Sequence, residues 1–373
     1  MGSRRDRILA ILMLSPSLVL LAIFVYGFIG RTVYLSLTDW GRQMALALHP
    51  TIHFVGLDNY RELFTGFLDV RFRQDLVNML YFTLLFVGAS LSLGLALAIL
   101  IDQQVRGEAI FRTIFLFPMS LSLVVTGTMW RWVLQPRGGV NVLPAMIGRE
   151  PWTFLWLSSR SQYLRFDWQH LPRYLGVGIA IALALVASVG LRRRRRLGPA
   201  LAGVAAGATL GWALFGPGSH VKLLPFPELH GFNDALIGVV LAATWQMAGY
   251  TMALYLAGLR GVPSELREAA RVDGASELQV YRYVDLPLLK PITLSALIIL
   301  GHIALKIFDL VFAMAGPDNA PTSVPAISMY LTTFRGNQLA KGASIAVILL
   351  IMVSVLIIPY LVNAFRSRRA ELG

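Results

Sequence analysis

Few residues in this chain have the types and spacing that chemistry requires, and most of them fall inside apolar runs. Lys306 and Asp309 are three apart in one such run, where mutual neutralisation would lower the free-energy cost of burial. They read as a structural pair, with a proton relay as the sharper alternative. Gln246 and Tyr250 are four apart and so share a helix face. An amide offers donors and acceptors to hydroxyls, and a phenol offers a ring for the C–H face of a sugar together with an O–H. Hydrogen bonding between helices is the alternative use of both. His302 stands alone and reads as a satisfied polar group. His49 and His53 flank Pro50 without a third ligand, so no metal site is expected. A glycine-rich phosphate loop ending in Lys-Ser or Lys-Thr is absent, so the chain is not expected to hydrolyse a nucleotide itself. No nucleophile and base stand in a catalytic arrangement, and no enzyme is expected. Cysteine is missing altogether, which removes disulfides and thiolate metal sites.

The elements that must position these residues are membrane helices. Of 373 residues, 56% are hydrophobic and 14% charged, with a mean hydropathy of +0.64; a soluble protein carries about 25% charged residues. Apolar blocks of about 20 residues can cross a hydrocarbon core of about 30 Å as helix, and such continuous runs contradict a β-barrel. An all-α polytopic membrane protein is expected, with eight spans at about 8–30, 80–101, 113–134, 173–191, 198–215, 235–257, 291–315 and 343–365. The first run continues to about Gly30 without a small-x-small cleavage site, so it reads as an uncleaved span rather than a signal peptide.

The net charge of +13 gathers at the ends of these runs: Arg4, Arg5 and Arg7, then Arg192 to Arg196, then Arg366, Arg368 and Arg369. Such clusters mark cytoplasmic segments, and no nucleic-acid partner is expected. With the N-terminus inside, strict alternation places 102–112, 192–197, 258–290 and the C-terminal tail inside, and 31–79, 135–172, 216–234 and 316–342 outside. An arginine at a helix centre costs about 2.5–3.5 kcal/mol, so the run of arginines must be a turn between spans. The stretch 198–215 is rich in Gly and Ala, which favours close helix contact over strong lipid partitioning. Without about 150–230 the chain has six spans with ordinary loops. This stretch therefore reads as an insertion carrying an extra hairpin, and the chain divides into 1–149, 150–230 and 231–373. Trp152, Trp156, Tyr163, Phe166, Trp168 and Tyr174 in its outer part are expected at the water–membrane interface.

Residues 261–291, GVPSELREAARVDGASELQVYRYVDLPLLKP, form a polar segment between two apolar runs. Pro263-Ser264 reads as a helix start, with Ser264 as cap and Glu265 facing the positive helix end. Asp273-Gly274 ends that helix, because glycine accepts the left-handed conformation of a C-terminal turn. Ser276 caps a second helix, expected to end before Pro287. Ala269 and Ala270 are small enough for a partner backbone to come close. Glu268 can pair with a basic group, and Arg267 and Arg271 with acidic residues or lipid phosphates. A solvated loop with no partner is the alternative.

The order Glu268-Ala269-Ala270, Gly274, Leu286-Pro287 resembles the cytoplasmic coupling loop, or EAA motif, of ABC importer permeases. Ser36 to Trp40, Phe54 to Tyr60, Phe111-Arg112 with Phe117-Pro118, Trp130 to Trp132 with Gly139 to Asn141, Phe308 to Leu310, Ala315 to Pro317 and Gly342 to Ser344 are similar to segments of the maltose-type, sugar-importing branch. The resemblance covers nearly all of the chain except about 150–230. It implies a six-helix type I permease core in a bacterial or archaeal inner membrane, with both termini cytoplasmic. It also implies a second homologous permease as heterodimer partner, a cytoplasmic ATPase dimer that uses ATP and Mg, and an external solute-binding protein. No cofactor would be bound by this chain. Arg267, Glu268, Ala269, Ala270, Arg271, Asp273, Gly274, Leu286 and Pro287 would couple to the ATPase. Sugar-lining positions would fall at Ala243, Gln246, Met247 and Tyr250, and near Leu300, Ala304 and Ile307, the last three apolar where relatives are polar. The resemblance leaves the solute open among sugars, polyols and glycerol phosphates. An ion-coupled secondary transporter and a membrane scaffold are the rival classes.

Overall fold

The computed structural model describes residues 4–42, 52–103, 106–192 and 197–371. Helices follow one another along the chain: α1 (Arg4–Leu21), joined through a wide turn at Ala22–Gly27 to α2 (Phe28–Ser36), then α3 (Asp58–Thr65), α4 (Val70–Asp102), α5 (Glu108–Leu116) and α6 (Leu123–Val133). Next come β1 (Gln162–Asp167), α7 (Leu171–Arg192), α8 (Leu197–Leu214), β2 (Leu229–Asn233) and α9 (Leu236–Arg260). The chain ends in α10 (Ser264–Val272), α11 (Glu277–Val280), α12 (Leu286–Leu288), α13 (Lys290–Leu305), α14 (Asp309–Ala315), α15 (Pro325–Tyr330) and α16 (Leu339–Glu371).

Among the described residues five helices are long and apolar enough to cross a membrane, or up to seven spans if each of two bent pairs counts as one. The expected eighth, 198–215, is the short α8, apolar over Gly198–Leu214. The run Ile11–Ser36 buries none of its apolar window within the chain, and Met13 and Phe24 are exposed. In water this would be a liability; against lipid tails it is the ordinary surface.

The chain divides into two compact units. The larger comprises 1–60, 74–161 and 233–373. Within it α4 and α9 lie side by side and run in the same direction. Asn233 Nδ2 donates to Asn78 Oδ1 (2.8 Å) near their starts, and Thr251 Oγ1 donates to Ser90 O (2.7 Å) at mid-length. Phe82 and Phe86 stack 5.4 Å apart in a core shared with Val239, Ala242, Leu300, Leu310 and Ile327. A second cluster joins Ala98 and Ile101 of α4 to Met252, Leu256 and Leu259 of α9 and to Leu289.

Two expected spans are broken. The span at 113–134 bends by 100° between Glu108–Ser120 and Leu123–Val133. Pro118 lies in a short 3-10 turn there, and Ser122 restarts the helix by accepting the Val125 N–H at 3.2 Å, a serine N-cap. The span at 291–315 stops at Leu305 and resumes at Asp309. Lys306 and Asp309 are therefore not one helical pair. Both are exposed, and the ion pairs among the described residues lie elsewhere. Lys306 closes the C-terminal end of α13 and Asp309 opens α14, each at the helix end that suits its sign. The segment 316–342, read as an external loop, packs inward in part. Val324, Ala326 and Ile327 join the core, and Asp75 accepts the Ser328 and Ser323 hydroxyls at 2.6 and 3.0 Å.

The second unit comprises 61–73 and 162–232, so it recruits part of the expected first external segment and leaves 150–161 to the larger unit. Its α7 and α8 pack along each other, while most of the arginine run, 193–196, lies outside the described residues. The sheet β1–β2 was not expected from the sequence. Arg73, fully buried, donates Nε–H to Glu228 Oε1 at 2.6 Å, and His230 Nε2 meets the same carboxylate. Trp168 is no interface anchor: it is 4% exposed and stacks on Phe64 at 6.5 Å and 14°. Trp152, Tyr163 and Tyr174 are exposed. Trp156 is half-buried and donates to Asn141 Oδ1 at 2.8 Å. His53 faces Asp39 Oδ2 at 3.0 Å, and His49 lies outside the described residues.

Candidate functional site

The polar segment between α9 and α13 folds as two helices meeting at a glycine. Pro263, not Ser264, is the N-cap of α10, and no side chain caps it. Ser264 is instead the first helical residue. At the other end Gly274 has φ +85°. Its N–H bonds to Arg271 O and that of Ala275 to Ala270 O, both at 3.0 Å, the paired bonds of a Schellman turn. Ser276 and Gln279 form a reciprocal capping box at the start of α11, with Ser276 N–H on Gln279 Oε1 at 2.7 Å. Arg271 clamps the two helices together through Glu277, at 2.8 and 3.2 Å, and the hydrogen-bonded carboxylate holds its pKa above the ordinary arginine value.

The second helix does not end before Pro287. It widens into a π turn at Tyr281–Asp285 and continues through Leu288 before a 65° bend into α13. Leu286 N–H reaches back to Tyr281 O. Proline has no N–H to give and crowds the carbonyl of the preceding turn, and the wider turn accommodates both.

Along this knob Glu268, Ala269, Asp273, Gly274, Leu286 and Pro287 are exposed, and Ala270 is half-buried. Val272, Leu278 and Tyr283 are exposed apolar neighbours, at 88%, 78% and 67%. These three were not among the coupling residues expected from the sequence, although apolar residues in an otherwise polar stretch were the available signal. Arg267 departs from the outward-facing group. It bonds Asp285 Oδ1 (2.9 Å), Asp102 Oδ2 (3.1 Å) and Leu259 O (2.9 Å). Burial disfavours its charge, yet the two carboxylates outweigh burial and raise its pKa. Glu108 of α5 pairs with Arg260 of α9 at 2.7 Å beside it.

This arrangement is a capped hairpin, tied to the end of α4 by an ion pair and to the end of α9 by a hydrogen bond, with small, acidic and apolar groups exposed on its surface. A match to the family of inner-membrane components of binding-protein-dependent transport systems spans residues 90–371. The chain belongs to that family. It is the transmembrane permease component of a binding-protein-dependent ABC importer. It is 35% identical to a probable ABC transporter permease protein of Pyrococcus horikoshii over 96% of both chains. It is 30% identical to the xylose/arabinose import permease protein of Haloferax volcanii over 94% of this chain and 86% of that one. The fold is shared with a bacterial ABC transporter involved in the import of the acidic polysaccharide alginate. The TM-score is 0.61 at 17% identity, covering 98% of this chain and 96% of that one.

The positions matched to sugar-lining residues come together, but as packing. Ala243, Gln246, Leu300, Ala304 and Ile307 of this permease are at most 4% exposed, whereas Met247 and Tyr250 are half-buried. Gln246 donates Nε2–H to Leu121 O at 2.8 Å, at the break between α5 and α6. Helix-breaking backbone inside a membrane is tolerated where protein satisfies the freed groups, and this amide does so. A side chain at Gly249, one turn on, would overlap the Phe115 carbonyl oxygen, so glycine lets α9 touch the backbone of α5.

Proposed function

We propose that this chain is one of two homologous permeases in an ATP-driven importer for a sugar. The exposed hairpin from Ser264 to Pro287 docks on a cytoplasmic ATPase dimer, and an external solute-binding protein delivers the solute. ATP and Mg act in the ATPase, and this chain binds no cofactor and contributes no catalytic group. Both termini and the hairpin face the cytoplasm of a bacterial or archaeal cell. The single observation that carries the reading is the hairpin itself: capped, ion-paired, and joined to the ends of α4 and α9. The xylose/arabinose relative supports a sugar as solute. Closure of the ATPase dimer moves the hairpins, and the helices attached to them switch the cavity from inward- to outward-facing. Such a switch needs a ligand-free bias small enough for ATP binding to reverse. Met247 and Tyr250 keep partly open faces on α9, and the partner permease completes the solute path.

The test is a pair of variants. Gly274 has open space around it, and aspartate tolerates left-handed backbone better than most residues, so Gly274→Asp changes the surface more than the fold. Gly274→Asp and Glu268→Lys are each expected to abolish ATPase co-purification and uptake while membrane insertion stays normal. Uptake at the native rate in both variants contradicts the coupling role. Uptake driven by a proton gradient without ATP would point to a secondary transporter.

A further inference from the structure

Arg267 lies next to Glu268 in sequence but faces the opposite way. Its guanidinium ties three elements together: the π turn through Asp285, the C-terminal end of α4 through Asp102, and the last turn of α9 through Leu259 O. The side chains of Asp285 and Asp102 are 1% and 7% exposed, and that of Arg267 19%. These bonds are charge-assisted and shielded from water. Arginine's planar fork directs donors to several acceptors at once, which a lysine ammonium on a flexible stem does not reproduce. The chain itself joins the hairpin to α9 through a short turn at Gly261–Pro263. No such short link exists to α4, because Asp102 is 165 residues from Arg267. Apolar packing of Ala98 and Ile101 against Leu256, Leu259 and Leu289 holds α4 nearby. Apolar contact is non-directional and permits sliding; the ionic contact fixes the register.

We infer that Arg267 is a positioning residue that makes the hairpin, the end of α4 and the end of α9 move as one body. A displacement of the hairpin thereby reaches both helices. This rests on the proposed coupling role, which supplies the displacement.

The chain has no native cysteine, so two introduced cysteines, labelled on the purified chain before assembly, carry spin labels without background from it. Gln103→Cys beside Asp102 and Glu265→Cys in the first turn of α10 are both exposed positions. Their distance is measured by electron paramagnetic resonance in the nanodisc-embedded complex, first without nucleotide and then with Mg-ATP and vanadate. With Arg267 present, one narrow distribution is expected in both states. In Arg267→Gln the distribution broadens without nucleotide and shifts when Mg-ATP and vanadate are added, while ATPase co-purifies in undiminished yield. Arg267→Lys gives an intermediate width. A merely structural role broadens the distribution but produces no nucleotide-dependent shift, and that result overturns the inference. Loss of ATPase co-purification in Arg267→Gln also overturns it, by making Arg267 a partner contact. If the unsubstituted chain fails to hold ATPase, the coupling reading fails instead. The nucleotide-free widths of the two proteins then decide the brace by themselves, with equal widths overturning it.

Discussion

Gln246 shows how one amide can serve either of two roles that its position in the sequence does not separate. It was a candidate solute contact because it shares a helix face with Tyr250, and its Nε2–H instead occupies the Leu121 carbonyl. Gln246→Leu leaves that carbonyl without its side-chain donor. An unsatisfied buried group costs about 1–3 kcal/mol, so the detergent-solubilised protein is expected to lose stability of that order and to melt at a lower temperature. A solute contact would instead raise KM for uptake and leave thermal stability alone. Gly274 makes the complementary point, since its left-handed φ was legible from the Asp-Gly pair and the capping serine that follows. Gly274→Val forces a β-branched residue into that conformation at a cost of about 1–2 kcal/mol. Faster amide exchange at Ala270–Ala275, with the rest of the chain unchanged, is the expected readout.

At the scale of elements, the apolar blocks were readable and their interruptions were not. Hydropathy averages over about 20 residues, so it registered the span at 113–134 but missed the 100° break within it. The local signals, Pro118 and the capping Ser122, were present and were outweighed by their apolar neighbours. Arg267 was read as able to meet acidic residues or lipid phosphates; which acids it meets was not legible, because one of its two carboxylates is 18 residues away and the other 165, beyond any helix periodicity. The buried trio Arg73, Glu228 and His230 was invisible for the same reason, with 155 residues between the first two. Its energetics are testable. Removing one partner of a buried ion pair costs about 3–5 kcal/mol, so Arg73→Met is expected to destabilise the unit containing β1 and β2 by that order, as measured by amide exchange.

The same trio gives that unit a pH dependence. Burial holds the His230 pKa below 6.5, and the Arg73 cation adds to the effect while Glu228 opposes it. Burial raises the Glu228 carboxyl, but Arg73 and His230 outweigh it and keep its pKa below 4.5. A histidine with a depressed folded pKa takes up protons more readily when unfolded, so stability falls as pH drops below 6.5. The Glu228 contribution is complete above 4.5 and is lost as pH falls through its lower folded value. Both act in one direction. Amide exchange in Gln162–Asn233 is expected to accelerate on acidification in two stages, and His230→Gln should remove the stage nearer neutrality and leave the other.

For the whole molecule, the proposed function requires a lipid-facing bundle whose helices can be moved from one end. The first helical run turns its apolar surface outward, α4 and α9 run in parallel, and the hairpin joins their ends. The apolar spans and the two short helices of the hairpin were legible because composition and the E-A-A to L-P spacing are local in sequence; the tie from the hairpin to α4 was not. The closed packing at Ala243, Ala304 and Ile307 was not, since it depends on which helices meet. The most direct measurement exploits the absence of native cysteine. Glu268→Cys is exposed to a membrane-impermeant maleimide in inside-out and in right-side-out vesicles, with and without added ATPase. Labelling in inside-out vesicles alone, blocked by the ATPase, is the predicted result. Labelling from the external face, or labelling that the ATPase leaves unchanged, contradicts the account.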